Sequence, residues 1–245
     1  MNELTEVIRR HRRIVFFGGA GVSTESGIPD FRSSSGLYAA HGGGEFPPEY
    51  MLSHSCFADR PEAFFDFYRR HMIYADAKPN AAHVALARLE AEGRLRAVVT
   101  QNIDGLHQQA GSRCVLELHG SVHRNDCQRC HARYGLDLML GTTGIPRCPV
   151  CGGVVKPDVV LYEEPLDHDV MDAAVSHISR AEALIVGGTS LNVYPAAGLV
   201  RYYRGQSLVL INRSETPCDA LASLVIRDSI GRVLQEACAS LGLDR

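Results

Sequence analysis

Three groups of residues in this 245-residue chain have the types and spacing to do chemistry. Cys127-x-x-Cys130 and Cys148-x-x-Cys151 offer four thiols in two pairs separated by residues 131–147, the ligand spacing of a four-thiolate zinc site. Four thiolates complete a tetrahedron and leave no position for water, so such an ion is structural rather than catalytic. Two redox-active or disulfide-bonded pairs are the other reading of that spacing. A second group is the stretch FGGAGVSTESGIPDFR, Phe17 to Arg32, in which Gly19-Ala20-Gly21 can make a tight turn and let a ligand approach the backbone. The fingerprint G-x-G-x-x-G is incomplete, because Thr24 stands at its third glycine, so an ordinary strand-to-helix turn stays open beside a pyrophosphate cradle. In the cradle reading, the N–H groups of a following helix hold the phosphates. The third group is Gln101-Asn102-Ile103-Asp104 with His119-Gly120. A histidine near its unperturbed pKa serves as a base at neutral pH, although most of the eleven histidines must be structural. Asn102 and Asp104 also read as plain turn residues.

Short apolar runs bring these groups together. Ile14–Phe17, Ala97–Thr100, Val115–Leu118, Ala183–Gly187 and Leu208–Ile211 each read as a strand buried on both faces, with helical stretches between several of them. That alternation predicts an α/β doubly wound parallel sheet, whose ligands bind beyond the carboxyl ends of the strands, where Gln101–Asp104 and His119 fall. Asn80 is placed to cap a helix with Ala82, Ala85, Leu86 and Leu89 on one face and Gly93 as its stop. Met1–Phe17 reads as a first helix running into the first strand. Residues 39–79 break the rhythm with a glycine-rich patch, Pro47-Pro48 and the aromatic run Phe64–Tyr68, and read as an inserted helical module.

Composition restricts the function classes. A net charge of −3 gives no broad nucleic-acid footprint, and the cysteine ribbon carries few basic residues and no aromatic stacking series, which argues against nucleic acid as a partner. No long apolar segment suggests a membrane span or a secretory signal. Eight cysteines, four of them in the CxxC pairs and four scattered, suit reduced thiols and a cytoplasmic address.

The motifs taken together, GAGVSTESGIPDFR, TQNIDGLH from Thr100, LHG from Leu118, the two CxxC pairs, PDVVLYEE from Pro157, GTSLNVYPA from Gly188 and LIN from Leu210, resemble the sirtuin family of NAD-dependent protein deacylases over nearly the whole chain. The resemblance implies a Rossmann-like NAD-binding domain of residues 1–38, 80–120 and 157–245. It also implies a small domain made of a helical module, 39–79, and a zinc ribbon, 121–156, with one structural Zn2+ on Cys127, Cys130, Cys148 and Cys151. An acyl-lysine protein or peptide would bind along Val159, Val160, Leu161 and Tyr162. The NAD site would comprise Gly19, Ala20, Gly21, Asp30, Phe31, Arg32, Gln101, Asn102, Ile103, Asp104, Gly188, Thr189, Ser190 and Asn212. His119 would be the catalytic base, acting through the ribose hydroxyls, with Asn102 holding ribose and an ordered water. Ile103 and Asp104 would line the nicotinamide pocket, and Phe31 would shield the reactive carbon from water. The reaction so implied is NAD-dependent lysine deacetylation or deacylation, releasing nicotinamide and 2'-O-acyl-ADP-ribose.

Two departures from the family pattern stand out. Glu163 occupies the place of a glycine in the substrate segment. The Tyr-x-x-Arg pair of relatives that prefer succinyl or malonyl groups is absent, with Phe65 and Tyr68 at that spacing, so neutral acyl groups are expected unless Arg69 or Arg70 turns inward. An NAD glycohydrolase or ADP-ribosyltransferase on the same fold is the alternative, opposed by the substrate segment and the complete ribbon. A hydride-transferring dehydrogenase is disfavoured by Thr24 and by the missing acidic residue after a second strand.

Overall fold

The computed structural model describes residues 3–33, 36–41 and 46–243. Its main sheet has six parallel strands, β1 (Ile14–Gly18), β2 (Leu95–Thr100), β3 (Val115–Glu117), β7 (Ala183–Gly187), β8 (Ser207–Ile211) and β9 (Leu224–Ile226), in the order β3-β2-β1-β7-β8-β9. A second, antiparallel sheet contains β4 (Gly120–Cys127), β5 (Arg133–Tyr134) and β6 (Val155–Val159) in the order β5-β4-β6. The parallel order reverses between β1 and β7, and that switch point opens a crevice at the carboxyl edge.

The unbroken apolar runs are explained by helices on both faces. Alternate side chains of β1 diverge, with Phe16 entering a buried cluster shared with the helices Glu3–Arg10, Ala81–Ala91 and Ile230–Ser240. Val15 and Phe17 enter a second cluster beneath the helix His168–Ser179 and the 3₁₀ segment Ala196–Tyr202. The helix anticipated after Asn80 runs Ala81–Ala91: the Asn80 side chain accepts from the Ala82 amide, His83 Nδ1 accepts from the Asn80 amide, and Gly93 takes φ 68° just beyond the end. The carboxylate of Glu25 reaches the start of the last helix, accepting from the Gly231 amide and the Ser229 hydroxyl.

One local expectation is corrected. β1 is followed by two single 3₁₀ turns, Ala20–Val22 and Thr24–Ser26, and not by an α-helix whose N-terminus could hold phosphate. The chain leaves them through Gly27 at φ 84°, and the residue before Pro29 is biased away from helix, so the helical start is not propagated.

A third buried cluster joins the helices Leu37–His41, Pro48–Met51, His54–Asp59 and Pro61–His71 to the three-stranded sheet, with Phe64, Phe65 and Tyr68 packed among Val122, Val155, Val159 and Leu161. The glycine-rich patch read at residues 42–44 lies outside the described residues. Among those residues, no helix is long and apolar enough to cross a membrane.

Candidate functional site

A cleft of about 700 Å³ lies between the carboxyl edge of the parallel sheet and the third cluster. The turns after β1, β2, β3, β7 and β8 supply Gly19–Gly21, Gln101–Asp104, His119, Gly188–Ser190 and Asn212 to its lining, with Asp30, Phe31 and Arg32 from the loop that follows the 3₁₀ turns. Val159–Glu164 and Tyr68 line it from the other side. Every residue singled out in the sequence for the nucleotide and substrate sites therefore borders one cleft.

The glycines are there because two backbones touch. A Cβ on Gly21 would lie 2.8 Å from the Gly188 Cα, and one on Gly19 would lie 2.9 Å from the Thr189 Cβ. The Gly21 amide donates to the Gly188 carbonyl at 2.8 Å, so the turns after β1 and β7 are pinned together at the switch point. This close backbone floor, and not a helix N-terminus, is what the turn after β1 presents to the cleft.

Above it runs a chain of side-chain hydrogen bonds. Asn102 Nδ2 donates to the Ser23 hydroxyl at 2.9 Å, and that hydroxyl donates to Asp104 Oδ2 at 2.6 Å. Asp104 Oδ1 accepts from the Leu106 amide, and Gln101 Nε2 donates to the Thr189 hydroxyl. Asn102 and Ser23 are both buried, so these bonds fix their rotamers. The Asp30 carboxylate accepts from the Arg32 and Ser33 amides and shapes its own loop. Phe31 meets Tyr38 edge-on at 5.8 Å, while Arg32 is exposed, with its guanidinium 5.4 Å from the centre of the Tyr38 ring. Asn212 Nδ2 donates to the Ser214 carbonyl.

His119 sits between β3 and β4 with Nδ1 2.9 Å from the Gln101 carbonyl oxygen. A carbonyl only accepts, so Nδ1 carries the proton and Nε2 keeps its lone pair. Burial holds the imidazole below the ordinary histidine value, and the Gln101 carbonyl, acting the other way, does not offset it. The ring is thus neutral and basic at neutral pH. Gly120 beside it has φ 74°, and a Cβ there would lie 1.9 Å from the Asp158 carbonyl oxygen, so only glycine lets β4 start this close to β6.

The substrate segment, Val159–Tyr162, runs on from the end of β6. Only Val159 belongs to a strand. Beyond it the Val160 amide donates to the His119 carbonyl, alongside the Gly120–Val159 pair, the Leu161 amide donates to Glu164 Oε2, and the Tyr162 amide donates to the Leu52 carbonyl, where Tyr162 forms a parallel β-bridge with Ser53. Glu163 has φ 77°, a conformation natural to the glycine it replaces. Its carboxylate accepts from the amide and hydroxyl of Ser55, contacts that hold the left-handed turn and keep its carboxyl below the usual carboxylate range.

Neither arginine of the aromatic helix lines the cleft, although the Arg69 guanidinium lies 5.6 Å from the centre of the Phe65 ring. Arg69 donates to the Met139 and Gly144 carbonyls, and Arg70 pairs with Asp66 at 2.8 Å on the surface. Phe65 and Tyr68 are fully buried.

Away from the cleft, the sulfurs of Cys127, Cys130, Cys148 and Cys151 all lie within 4.8 Å of one another, with Cys127 to Cys151 at 3.4 Å and Cys130 to Cys148 at 3.6 Å. The Arg129 and Cys130 amides point at the Cys127 sulfur. Such a set of sulfurs fits one tetrahedral ion with metal–sulfur bonds of about 2.3 Å, and it does not fit a CxxC redox pair. The remaining four cysteines are unpaired.

Ser23 was missed in the sequence, although it lies inside the GAGVSTES motif; a hydroxyl two residues past the glycine turn, with Asn102 and Asp104 elsewhere, was the available signal. Asn192, Ser214 and Glu215 also line the cleft without having been singled out. Ser214 and Glu215 fall just beyond the LIN motif, where the reading stopped.

An α/β fold with a switch-point cleft, a buried polar network and a four-cysteine ribbon defines a class of nucleotide-using enzyme domains. Within that class, the Sir2 family model matches residues 19–195, and the chain belongs to the Sir2 family. It is 60% identical over 235 residues to the NAD-dependent protein deacetylase of Clostridium perfringens (strain 13 / Type A), covering 96% of each chain. It is 56% identical over 232 residues to that of Cutibacterium acnes (strain DSM 16379 / KPA171202), covering 95% of each. A solved structure of Sir2 with a p53 peptide and NAD+ superposes with a TM-score of 0.87 at 38% identity, over 99% of each chain. Sir2Tm bound to a propionylated peptide does so with a TM-score of 0.85 at 37% identity, over 98% of each.

Proposed function

We propose that the protein is an NAD-dependent protein-lysine deacetylase, acting on acyl-lysine peptides and releasing nicotinamide and 2'-O-acyl-ADP-ribose. The observation that carries this reading is His119: a neutral ring, tautomer set by the Gln101 carbonyl, placed in a cleft with a backbone cradle on one side and Val159–Tyr162 on the other. The family relationship and the two named deacetylases support it. Bound NAD supplies a ribose carbon that can exchange nicotinamide for the acyl oxygen, and ribose hydroxyls that carry the acyl group away.

The chain's own residues do the rest. Gly19, Ala20 and Gly21 with Gly188, Thr189 and Ser190 form the floor for the phosphates, and Asn212 borders the far end. Asn102, locked by Ser23, presents its amide oxygen to the ribose. Asp104 and Ile103 close the nicotinamide side, where the carboxylate oxygens, each already accepting one hydrogen bond, retain lone pairs for a carboxamide N–H. His119 Nε2 takes the proton from the ribose hydroxyls, and the Nδ1–H bond to Gln101 holds the ring in place as charge develops on it. Phe31 covers the reacting centre against water, with Asp30 and Arg32 shaping the loop that carries it. Val159–Tyr162 receive the peptide; the Val160–Tyr162 amides are engaged within the protein, and the Val159, Leu161 and Tyr162 carbonyls accept from Lys156 Nζ and from the Glu164 and His54 amides, so the Val160 carbonyl and the side chains of the segment hold it. One Zn2+ on Cys127, Cys130, Cys148 and Cys151 fastens the ribbon. We assign residues 39–79 and 121–156 to the small domain and residues 1–38, 80–120 and 157–245 to the large one, and place the enzyme with its reduced thiols in the cytoplasm.

Incubation with NAD and an acetyl-lysine peptide, followed by mass spectrometry of both products, tests the assignment. Loss of the acetyl group with formation of acyl-ADP-ribose is expected. Free ADP-ribose with an unchanged peptide, or an ADP-ribosylated peptide, would reassign the protein to the glycohydrolases or transferases.

A further inference from the structure

The hydroxyl of Tyr68 is buried and has no hydrogen-bond partner. Its residue is fully enclosed, yet lines the cleft. The ring lies in the cluster that contains Val159 and Leu161, against which Phe31 and Ile103 pack, so it shares one apolar cluster with the substrate segment and with Phe31. Helix Pro61–His71 fixes it there: Phe64 stacks on it at 5.8 Å and the helix continues for three residues beyond it. Burial first, and then the Asp158 carboxylate, push its ionisation far above the ordinary tyrosine value, so the group is a phenol and a donor. Asp158 is itself held by Arg124 at 2.7 Å and makes no bond to Tyr68.

We propose that Tyr68 selects acyl groups whose chain carries a hydroxyl or keto oxygen over alkyl chains of the same length. This rests on the deacylase reading. A lysine side chain entering past Val159 and Leu161 delivers its acyl group into the apolar cluster, where the Tyr68 hydroxyl is the polar group without a partner. An alkyl chain filling that space excludes water and leaves the O–H unsatisfied, which is the unfavourable case for a buried polar group. An acyl hydroxyl or ketone accepts the bond. A carboxylate is served poorly, since a single neutral donor does not offset the loss of its hydration.

The test compares kcat/KM for one peptide carrying acetyl-, butyryl- and 3-hydroxybutyryl-lysine, in the parent and in Tyr68→Phe. The parent is expected to favour 3-hydroxybutyryl over butyryl by roughly three- to tenfold, the scale of one neutral hydrogen bond. In Tyr68→Phe the ratio is expected to fall to one or below. Taking the ratio within each protein cancels any general loss of activity in the variant. The variant is also expected to melt no lower than the parent, because the hydroxyl it removes makes no bond within the protein. A butyryl to 3-hydroxybutyryl ratio that the substitution leaves unchanged, with the acetyl peptide turned over, overturns the inference and spares the deacylase assignment. A melting temperature lowered by several degrees also overturns it, by showing that the hydroxyl has an internal partner. Failure of all three peptides with NAD removes the deacylase reading and this inference with it.

Discussion

Acid should weaken the fold through two histidines that have no part in the chemistry. His83 and His107 are fully buried, with ring centroids 4.7 Å apart, and three of their four ring nitrogens lack a partner; His83 Nδ1 alone accepts a bond, from the Asn80 amide. Burial lowers both, His83 to about 4 against the opposing pull of Asp104 and Glu25, and His107 to about 3 with His83 adding to the effect. A base depressed in the folded state contributes its full stability above its unfolded pKa and loses it as the pH falls below that value, here about 6.5. At pH 5.5 the unfolded chain binds a proton at each site and the folded chain does not. The loss is RT ln(1 + 10), about 1.4 kcal/mol per histidine and about 3 kcal/mol for the pair. Depressed carboxyls such as Glu163, held by Ser55, and Glu182, held by the Arg12 and Arg13 amides, act in the same direction but only as the pH approaches their unfolded value near 4.5. His119 and His177, both lowered by burial, do act in the histidine window, so the informative quantity is a difference between proteins. Urea unfolding of the parent and of His107→Phe between pH 7.5 and 5.5 provides it. The parent is expected to lose about 1.4 kcal/mol more than the variant across that range. Parallel lines would refute the reasoning, by showing that His107 is charged or solvated in the folded protein.

Three further outcomes are expected. Cys148→Ser should release zinc, measured by metal analysis, and lower the melting temperature of the whole chain, because the ion's binding free energy stabilises only the folded ribbon. His119→Ala should reduce deacetylation by roughly a hundredfold or more while NAD binding, followed by calorimetry, persists; the parent's kcat/KM should stay flat from neutral pH down past 6.5 and fall only below the depressed histidine value, so an acid limb above 6.5 would contradict the tautomer argument. An acetyl peptide should exceed its succinyl counterpart in kcat/KM, since Arg69 is spent on the Met139 and Gly144 carbonyls and Arg70 on Asp66; the opposite preference would place a cation in the acyl pocket.

The parallel strands, the capped helix after Asn80 and the cysteine ribbon were legible because each rests on a local signal: apolar runs bounded by turns, an Asn at an N-cap, a CxxC spacing. The convergence of Gln101–Asp104 and His119 followed from their places just after apolar runs, at the carboxyl ends of parallel strands. The turns after β1 were misread because the glycines suggested a helix start, whereas their actual task is to let two backbones meet, a contact between residues 21 and 188 that no local pattern carries. The partners of the segment after Val159 were hidden for a similar reason, since the Leu52 carbonyl and Ser53, which meet Tyr162, are distant in sequence. Glu163 showed in the sequence as an exception to a motif, and structurally it is none: Ser55 stabilises the backbone angle that glycine adopts freely.

Strand β4 begins at Gly120, beside the base, and ends at Cys127, a metal ligand. Its eight residues, at about 3.4 Å each, make a rod of roughly 24 Å between end residues. β6, its antiparallel neighbour, starts four residues after Cys151 and ends at Val159, where the substrate segment starts. The ribbon thus closes one end of a two-stranded ladder whose other end carries His119 and Val160, joined by the Val160 amide donating to the His119 carbonyl. On the proposed reading, a metal that never meets substrate would anchor the end of the ladder farthest from His119, and losing it would let β4 and β6 fray toward the cleft together.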